Sequence, residues 1–582
     1  MDLEEEERAL GRWPRRLLYI PTLKSYPCEE GHCYNGFKEP QYDAITYTWG
    51  RFRLQESDQS NVVAAPIEIT GTKSPWSIPR IDPKHFTASE FVRAIRTPTE
   101  SHEGTGDSRS VDFIWLDVAC IDQRAAEPRS AAEIGRQALI FHGARRVYVW
   151  LARFPTVHLE KMLTTIERGA DYEKSESVEQ HAVTKQYASE LLSDPWFSSL
   201  WTLQETFLRP GAFLLSKDAK LISHSGETRV ARYELTERRP TCYTFAFMNL
   251  IFSRWAQHCE RNASGHHWTA CQEMLNLIEE RGLRRLMTGT ELGMYEAALR
   301  RQTLYPEDRV YGIQQIFGFR LGKSSVSAQP GVNFTLEDLE DELGEALMVS
   351  KPVLSQLHVF KEPIPESRRW RFHTCSRVAT NVSLRIVDPR DYGSYRRSRC
   401  SFWVDHGPSG SKPVLFSGMT IGFMRLLDGW KEMAEGLYPP FQAGSLLESW
   451  FPIRRRREMF ICLDETEEAL EAPATVHPLH GEMAGEWLSA RHPSDDIRVL
   501  LLGLWGPSIS MGLEEPLPIE NGTFGLILRS CSAGTWARMG ICQWDTANPQ
   551  WTPVDFPIEH RNFLDGTSSD WVEQQGVFGY MG

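Results

Sequence analysis

From Val111 to Val118 every residue except Asp112 and Asp117 is apolar. A run of this kind, dominated by Val, Phe, Ile and Trp at consecutive positions, makes a strand only where both of its faces are covered. A second short apolar run, Arg145–Leu151, follows after about one helix length of chain. Between them Ser130 and Glu133 have capping-box spacing, and Ile134, Ala138 and Phe141 supply the inward stripe of one helix ending near Gly143. Upstream, YDAITYTWG (Tyr42–Gly50) is a strand pattern with Asp43, Ile45, Tyr47 and Trp49 on one face and Ala44, Thr46 and Thr48 on the other. Thr87 stands three residues before Glu90 and opens a further helix whose stripe is Phe91, Val92 and Ile95. Strand, helix, strand, helix with short joints predicts an α/β fold with a parallel sheet flanked by helices.

In LLSDPWFSSLWTLQETF (Leu191–Phe207) Asp194 can cap the free amides of a helix and Pro195 can take its first position. The spacing predicts a helix from Trp196 that carries Phe197, Trp201 and Glu205 on one face. A carboxylate set against aromatic surface either ends the packed face at water or serves a site. Asp117 falls at the carboxyl end of its strand, with Cys120, Asp122 and Gln123 within six residues. Ligands of open α/β sheets bind where such ends and their loops converge.

The 582 residues exceed what one core serves and divide into two or three domains. A net charge of −13 gives no basic footprint, so nucleic acid is not an expected partner. The eleven cysteines form no disulfide framework, which favours a reducing compartment. The acidic start has no signal-peptide core, and no window holds eighteen uninterrupted apolar residues, so a cytoplasmic protein without a membrane span is expected. Cys28, His32 and Cys33 lack a matching second pair of ligands nearby, and no metal is expected there.

Residues 208–350 are mostly helical in pattern, with stripes at Met274, Leu277 and Ile278 and, in LYPEDRVYGIQQIFG, at Val310, Ile313 and Phe317. Gly318 can end that motif in a left-handed conformation. Beyond about residue 360 short β-prone runs alternate with Gly, Pro and Asp, which predicts a strand-rich second domain of no assigned role.

Together YDAITYTWG, IWLDVACIDQ with Glu133 and Gln137 downstream, YVWL, and WFSSLWTLQE resemble the core of the fungal heterokaryon incompatibility (HET) domain, and DRVYGIQQIFG is similar to the motif that closes it. The resemblance covers roughly residues 40–320. It departs at Ser199, where the family more often has arginine, and at Asp122, where it more often has asparagine. The family core in turn resembles the TIR fold. The implied organisation is a lead segment (1–39), a TIR-like α/β core (40–210), a helical extension (211–355) and the strand-rich C-terminal domain (360–582).

What the resemblance implies is a role in non-self recognition, an innate-immunity function in which such a domain triggers programmed cell death. WFSSLWTLQE is similar to the segment bearing the glutamate of TIR domains that cleave NAD, so Glu205 is implied as the catalytic carboxylate and NAD as substrate, with no permanently bound cofactor. Tyr47 and Trp49 would lie near the nucleotide, Trp201 would stack on a ring, and Asp117, Cys120 and Gln123 would line the gating loop. An ionised carboxylate beside the ribose gains interaction as positive charge develops there. Two other classes stay open: a non-enzymatic module acting through self-association or an incompatibility partner protein, and a hydrolase with Cys120 as nucleophile and His142 as base.

Overall fold

The computed structural model describes residues 3–48, 66–78, 80–100, 110–124, 128–170, 178–224, 242–261, 268–286, 291–325, 332–378, 397–406, 412–437, 459–464, 479–505, 522–532, 534–545 and 557–581. The chain divides into two compact units, Met1–Met287 with Ala297–Leu336 and Thr288–Glu296 with Glu337–Gly582. Among the described residues no helix is long and apolar enough to cross a membrane.

Seven strands make the sheet of the first unit: β1 (Arg16–Tyr19), β2 (Lys24–Pro27), β3 (Tyr42–Thr46), β4 (Glu68–Ile69), β5 (Phe113–Trp115), β6 (Val147–Trp150) and β7 (Phe213–Leu215). Their spatial order is β4-β2-β1-β5-β3-β6-β7. The half made of β5, β3, β6 and β7 is parallel, with every residue of β3, β5 and β6 buried, as continuous apolar runs require. The expectation of a parallel sheet needs correction on the other side, because β1 runs antiparallel to both β5 and β2. Residues before Tyr42 thus complete a mixed sheet. The Arg16 guanidinium fixes this addition by donating to the Ser25 carbonyl and hydroxyl, while the Ser25 hydroxyl donates to the Ala119 carbonyl at 2.6 Å.

Thr87 forms the full capping box with Glu90, and the helix Ala88–Arg96 buries Phe91 and Ile95. The expected single helix ending at Gly143 is instead two, Pro128–Ile134 and Gln137–Gly143. The Gln315 side chain occupies the break, accepting from the Ala138 amide at 2.5 Å and donating to the Ile134 carbonyl, which replaces the helical bonds lost there. The Ser130–Glu133 capping box is also absent. The Ser130 hydroxyl donates to the Asp122 carbonyl at 2.6 Å, and Glu133 is buried among arginines.

A similar exchange breaks the helix expected from Trp196. Asp194 caps only a short 3-10 turn, Pro195–Phe197, and the α-helix starts at Trp201. The Arg301 guanidinium takes the Trp196 and Ser199 carbonyls, each at 3.2 Å, and Gln302 exchanges backbone bonds with Ser198 and Leu200. Phe197 is therefore not on a continuous helical face with Trp201 and Glu205. In the closing motif Val310, Ile313 and Phe317 are buried, and Gly318 has φ +81°.

In the second unit β8 (Lys412–Gly422), β9 (Ile497–Trp505), β10 (Gly522–Ser532), β11 (Thr535–Asp545) and β12 (Val572–Met581) close a barrel. β8 pairs with β9 and β12, β10 with β9 and β11, and a parallel contact at Thr535 and Val577 joins β11 to β12. The helix Phe423–Leu437 places Leu426, Leu427 and Trp430 in the same core as Trp544 and Phe563. At Gly540 a Cβ would meet the carbonyl oxygen of Cys462 at 2.3 Å, on a backbone with φ +147°. Gly540→Ala is expected to destabilise this unit by about 2 kcal/mol or more. Urea unfolding reads it, and a loss under about 0.5 kcal/mol, the scale of a neutral surface change, would show that the neighbouring strand yields freely.

Candidate active site

The connection after β3 leaves toward β5, and the one after β6 leaves toward β7 on the opposite side. The carboxyl ends of the adjacent β3 and β6 therefore form a topological switch point, where open α/β sheets open a crevice. Tyr47 directly follows β3, and Asp117 follows β5 by one residue. The Tyr47 hydroxyl donates to Asp117 Oδ1 at 3.0 Å, while the same oxygen accepts from the Val118 amide at 2.7 Å. The Tyr47 ring packs 5.3 Å from Phe91 and 6.1 Å from Trp150. Burial, then the charge of Asp117, raises its phenol well above the ordinary value, so it remains a neutral donor.

Glu205 lies on the helix Trp201–Leu208 and is half-buried as a residue, yet its Oε2 is shielded from solvent and makes no hydrogen bond among the described residues. The Thr46 hydroxyl and the charge of Asp117 both bear on its carboxyl group. Burial pushes it up to about 8 and Asp117 adds to the rise, while Thr46 works against it. At neutral pH in the free protein the group is mostly protonated, which differs from the ionised carboxylate that the chemistry of the resemblance implies.

Tyr47, Asp117 and Glu205 thus gather at the strand ends. The other residues implied for the site divide differently. Gln123 closes the turn after β5 by donating to the Asp117 carbonyl at 3.2 Å and the Ile121 carbonyl at 2.9 Å. Cys120 is 2% exposed, and burial pushes its thiol up to about 12. A nucleophilic cysteine needs the opposite shift, and His142 spends its Nδ1 on the Ala138 carbonyl at 2.8 Å. Trp201 is half-buried, and its side chain bears on Asp308 of the closing motif. Trp49 lies outside the described residues.

Asp122 and Ser199, the two departures from the family pattern, each have a local partner: Asp122 receives the Arg124 guanidinium at 2.9 Å, and Ser199 bridges to Gln302. His32 is engaged by the Ala9 carbonyl at 3.0 Å and stacks on Trp13. Among the described residues no group of three His, Cys, Asp or Glu side chains could hold a metal ion.

Two side chains that bear on Glu205 have no marker in the sequence. Thr46 sits in a wholly buried strand, and Trp196 donates its Nε1 proton to Thr46 Oγ1 at 2.9 Å. A threonine in a strand ordinarily signals β propensity alone. Searches of curated proteins and of solved structures give no match. Residues 42–205 do match the family model described as Heterokaryon incompatibility protein (HET), a span that opens on the first residue of β3 and closes on Glu205, and this match supports membership of that family.

Proposed function

We propose that the first unit is a TIR-like effector that cleaves NAD at the nicotinamide-ribosyl bond, with Glu205 as the catalytic carboxylate. The family match supports a general signalling and cell-death role. The observation that carries the chemical reading is the Glu205 carboxyl group itself, its Oε2 shielded and unbonded among the described residues, in the field of Asp117 beyond the carboxyl end of β5. In the reaction the ribose carbon loses nicotinamide, which leaves with the bonding electron pair and so neutralises its ring. Water adds to the same carbon and one proton is released. An approaching pyridinium cation favours the ionised form of Glu205, so substrate binding itself would charge the carboxylate that then faces the developing ribose cation. Asp117, held by Tyr47, would sit within the same field.

Nicotinamide release, followed chromatographically in dilute solution and under artificial clustering, tests this. Glu205→Gln is expected to lower turnover about a hundredfold or more while leaving the fold intact. For the wild type kcat/KM is expected to rise with pH through a midpoint near 8 and to level off roughly one pH unit or more above it, because only the ionised carboxylate acts and the free group titrates at about 8. Equal turnover by both proteins would remove Glu205 from the chemistry. No turnover by the clustered wild type would favour a non-enzymatic module acting through self-association or a partner.

A further inference from the structure

β3 and β5 run parallel and side by side, so Tyr47 and Asp117, just past their carboxyl ends, come within hydrogen-bond reach. The Tyr47 hydroxyl donates to Asp117 Oδ1 at 3.0 Å, and the Val118 amide donates to the same oxygen at 2.7 Å. A carboxylate oxygen has two lone-pair sites, and here the protein fills both. The carboxylate is thereby fixed in rotation as well as in place. Tyr47 can serve as a fixed donor because its own ring is held: it is 8% exposed and packs against Phe91 and Trp150, both buried. Asp117 is only half-buried, among the buried Val118 and Cys120, so the fixed carboxylate lies where a ligand can reach it.

We propose that Asp117 is the substrate-binding carboxylate of the site, an acceptor for the hydroxyl groups of the ribose that bears nicotinamide, and that Tyr47 is its positioning residue. An ionised carboxylate only accepts, so its ligand must bring donors or positive charge. A cation needs charge nearby and little else, whereas a hydrogen bond from a hydroxyl is directional. Two bonds that fix Oδ1 serve direction. An acidic side chain that takes ribose hydroxyls beside the carboxyl ends of parallel strands is a general solution in open α/β sheets. The choice of substrate rests on the NAD-cleaving reading above; the hold of Tyr47 on Asp117 does not.

The test measures the affinity of the full chain for ADP-ribose by calorimetry, beside steady-state cleavage of NAD. ADP-ribose keeps the ribose hydroxyls and has no nicotinamide bond, so its affinity does not depend on cleavage. A hydrogen bond to a charged group corresponds to about a tenfold to hundredfold change in affinity. Asp117→Asn is therefore expected to weaken ADP-ribose about tenfold or more. Tyr47→Phe keeps the ring between Phe91 and Trp150 and is expected to weaken it about threefold or more, with KM for NAD rising by a similar factor and kcat little changed. In the Asp117→Asn background Tyr47→Phe is expected to add less than about twofold, because its hydroxyl acts through Asp117. A merely structural Tyr47 would add its full effect there, and that result removes it as the positioning residue. Should Asp117→Asn fail to fold, ADP-ribose lacking the 2-hydroxyl of its terminal ribose removes the partner from the ligand side, and its affinity for the wild type is expected to fall by the same factor.

Unchanged ADP-ribose affinity in Asp117→Asn overturns the proposal, and beside a wild type that turns over NAD it leaves the cleavage reading standing. If the variant loses affinity for NAD alone, Asp117 meets the pyridinium cation and the ribose role is wrong. Weakened ADP-ribose binding in the variants, beside a wild type that turns over no NAD, sinks the cleavage reading and keeps the ribose acceptor. A wild type that binds neither ligand overturns both.

Discussion

Glu133→Ala is expected to lower the unfolding free energy by about 3–5 kcal/mol, the range for breaking a buried ion pair by removing one partner. Glu133 is 1% exposed and meets Arg136 Nη1 at 3.1 Å and Arg15 Nε at 3.3 Å, and it also accepts the Arg15 amide at 2.8 Å. Removing the carboxylate takes from Arg136, 2% exposed, its carboxylate partner, while Arg15 keeps Glu6 and Glu7. Arg136 keeps the Gly11 and Trp13 carbonyls, each at 2.8 Å, which limits the loss. Glu133→Gln retains an acceptor for the Arg15 amide and is expected to lose roughly half as much. Equilibrium denaturation reads both. The capping role suggested by the spacing with Ser130 predicts a loss of at most about 1 kcal/mol, so a result in that range would return Glu133 to the helix end.

Glu205→Gln is expected to stabilise the protein at alkaline pH. The folded carboxyl titrates at about 8, against roughly 4.5 for an exposed glutamate. Because the folded value is raised, the stability that the protonated group contributes is complete below the unfolded value and is lost as pH rises through the folded one. Glutamine carries no charge at any pH. The gap between variant and wild type should therefore widen by about 2–4 kcal/mol from pH 5 to pH 9 in favour of the variant. It is the change with pH that matters, since the packing difference is common to both conditions. Parallel stability profiles would mean that Glu205 is well solvated, and the same substitution would then lose its meaning as a test of a shielded charge.

The strands Phe113–Trp115 and Val147–Trp150 were legible because burial on both faces leaves a continuous apolar signature, whereas the three-residue strand Phe213–Leu215 fell in a stretch read as mostly helical. The cap at Thr87 was legible because its partner lies three residues away. Both broken helices escaped for one reason: the groups that interrupt them, Gln315 in one case and Arg301 with Gln302 in the other, lie more than a hundred residues along the chain. Local spacing cannot report such partners. Glu133 illustrates the same limit, since its position suits a cap while its charge is claimed by Arg15. Of the candidate site, Tyr47, Asp117 and Glu205 were visible as polar residues at strand and helix positions that converge. Thr46 was not, because a buried hydroxyl becomes informative only once its hydrogen-bond partners are known.

The barrel of the second unit carries a kinetic consequence. β8 pairs along its length with β12, from Lys412 with Met581 to Thr420 with Val572, so the two strands are separated by more than 150 residues of chain. Contacts of such sequence separation must meet a large loop-closure entropy before any of their bonding is realised, and topologies rich in them fold slowly. During synthesis β8 emerges long before β12, and until β12 is made the edge of β8 that will bind it stays open to other strands. Refolding of this unit should thus be slow and sensitive to protein concentration, with association between chains competing against closure of the ring.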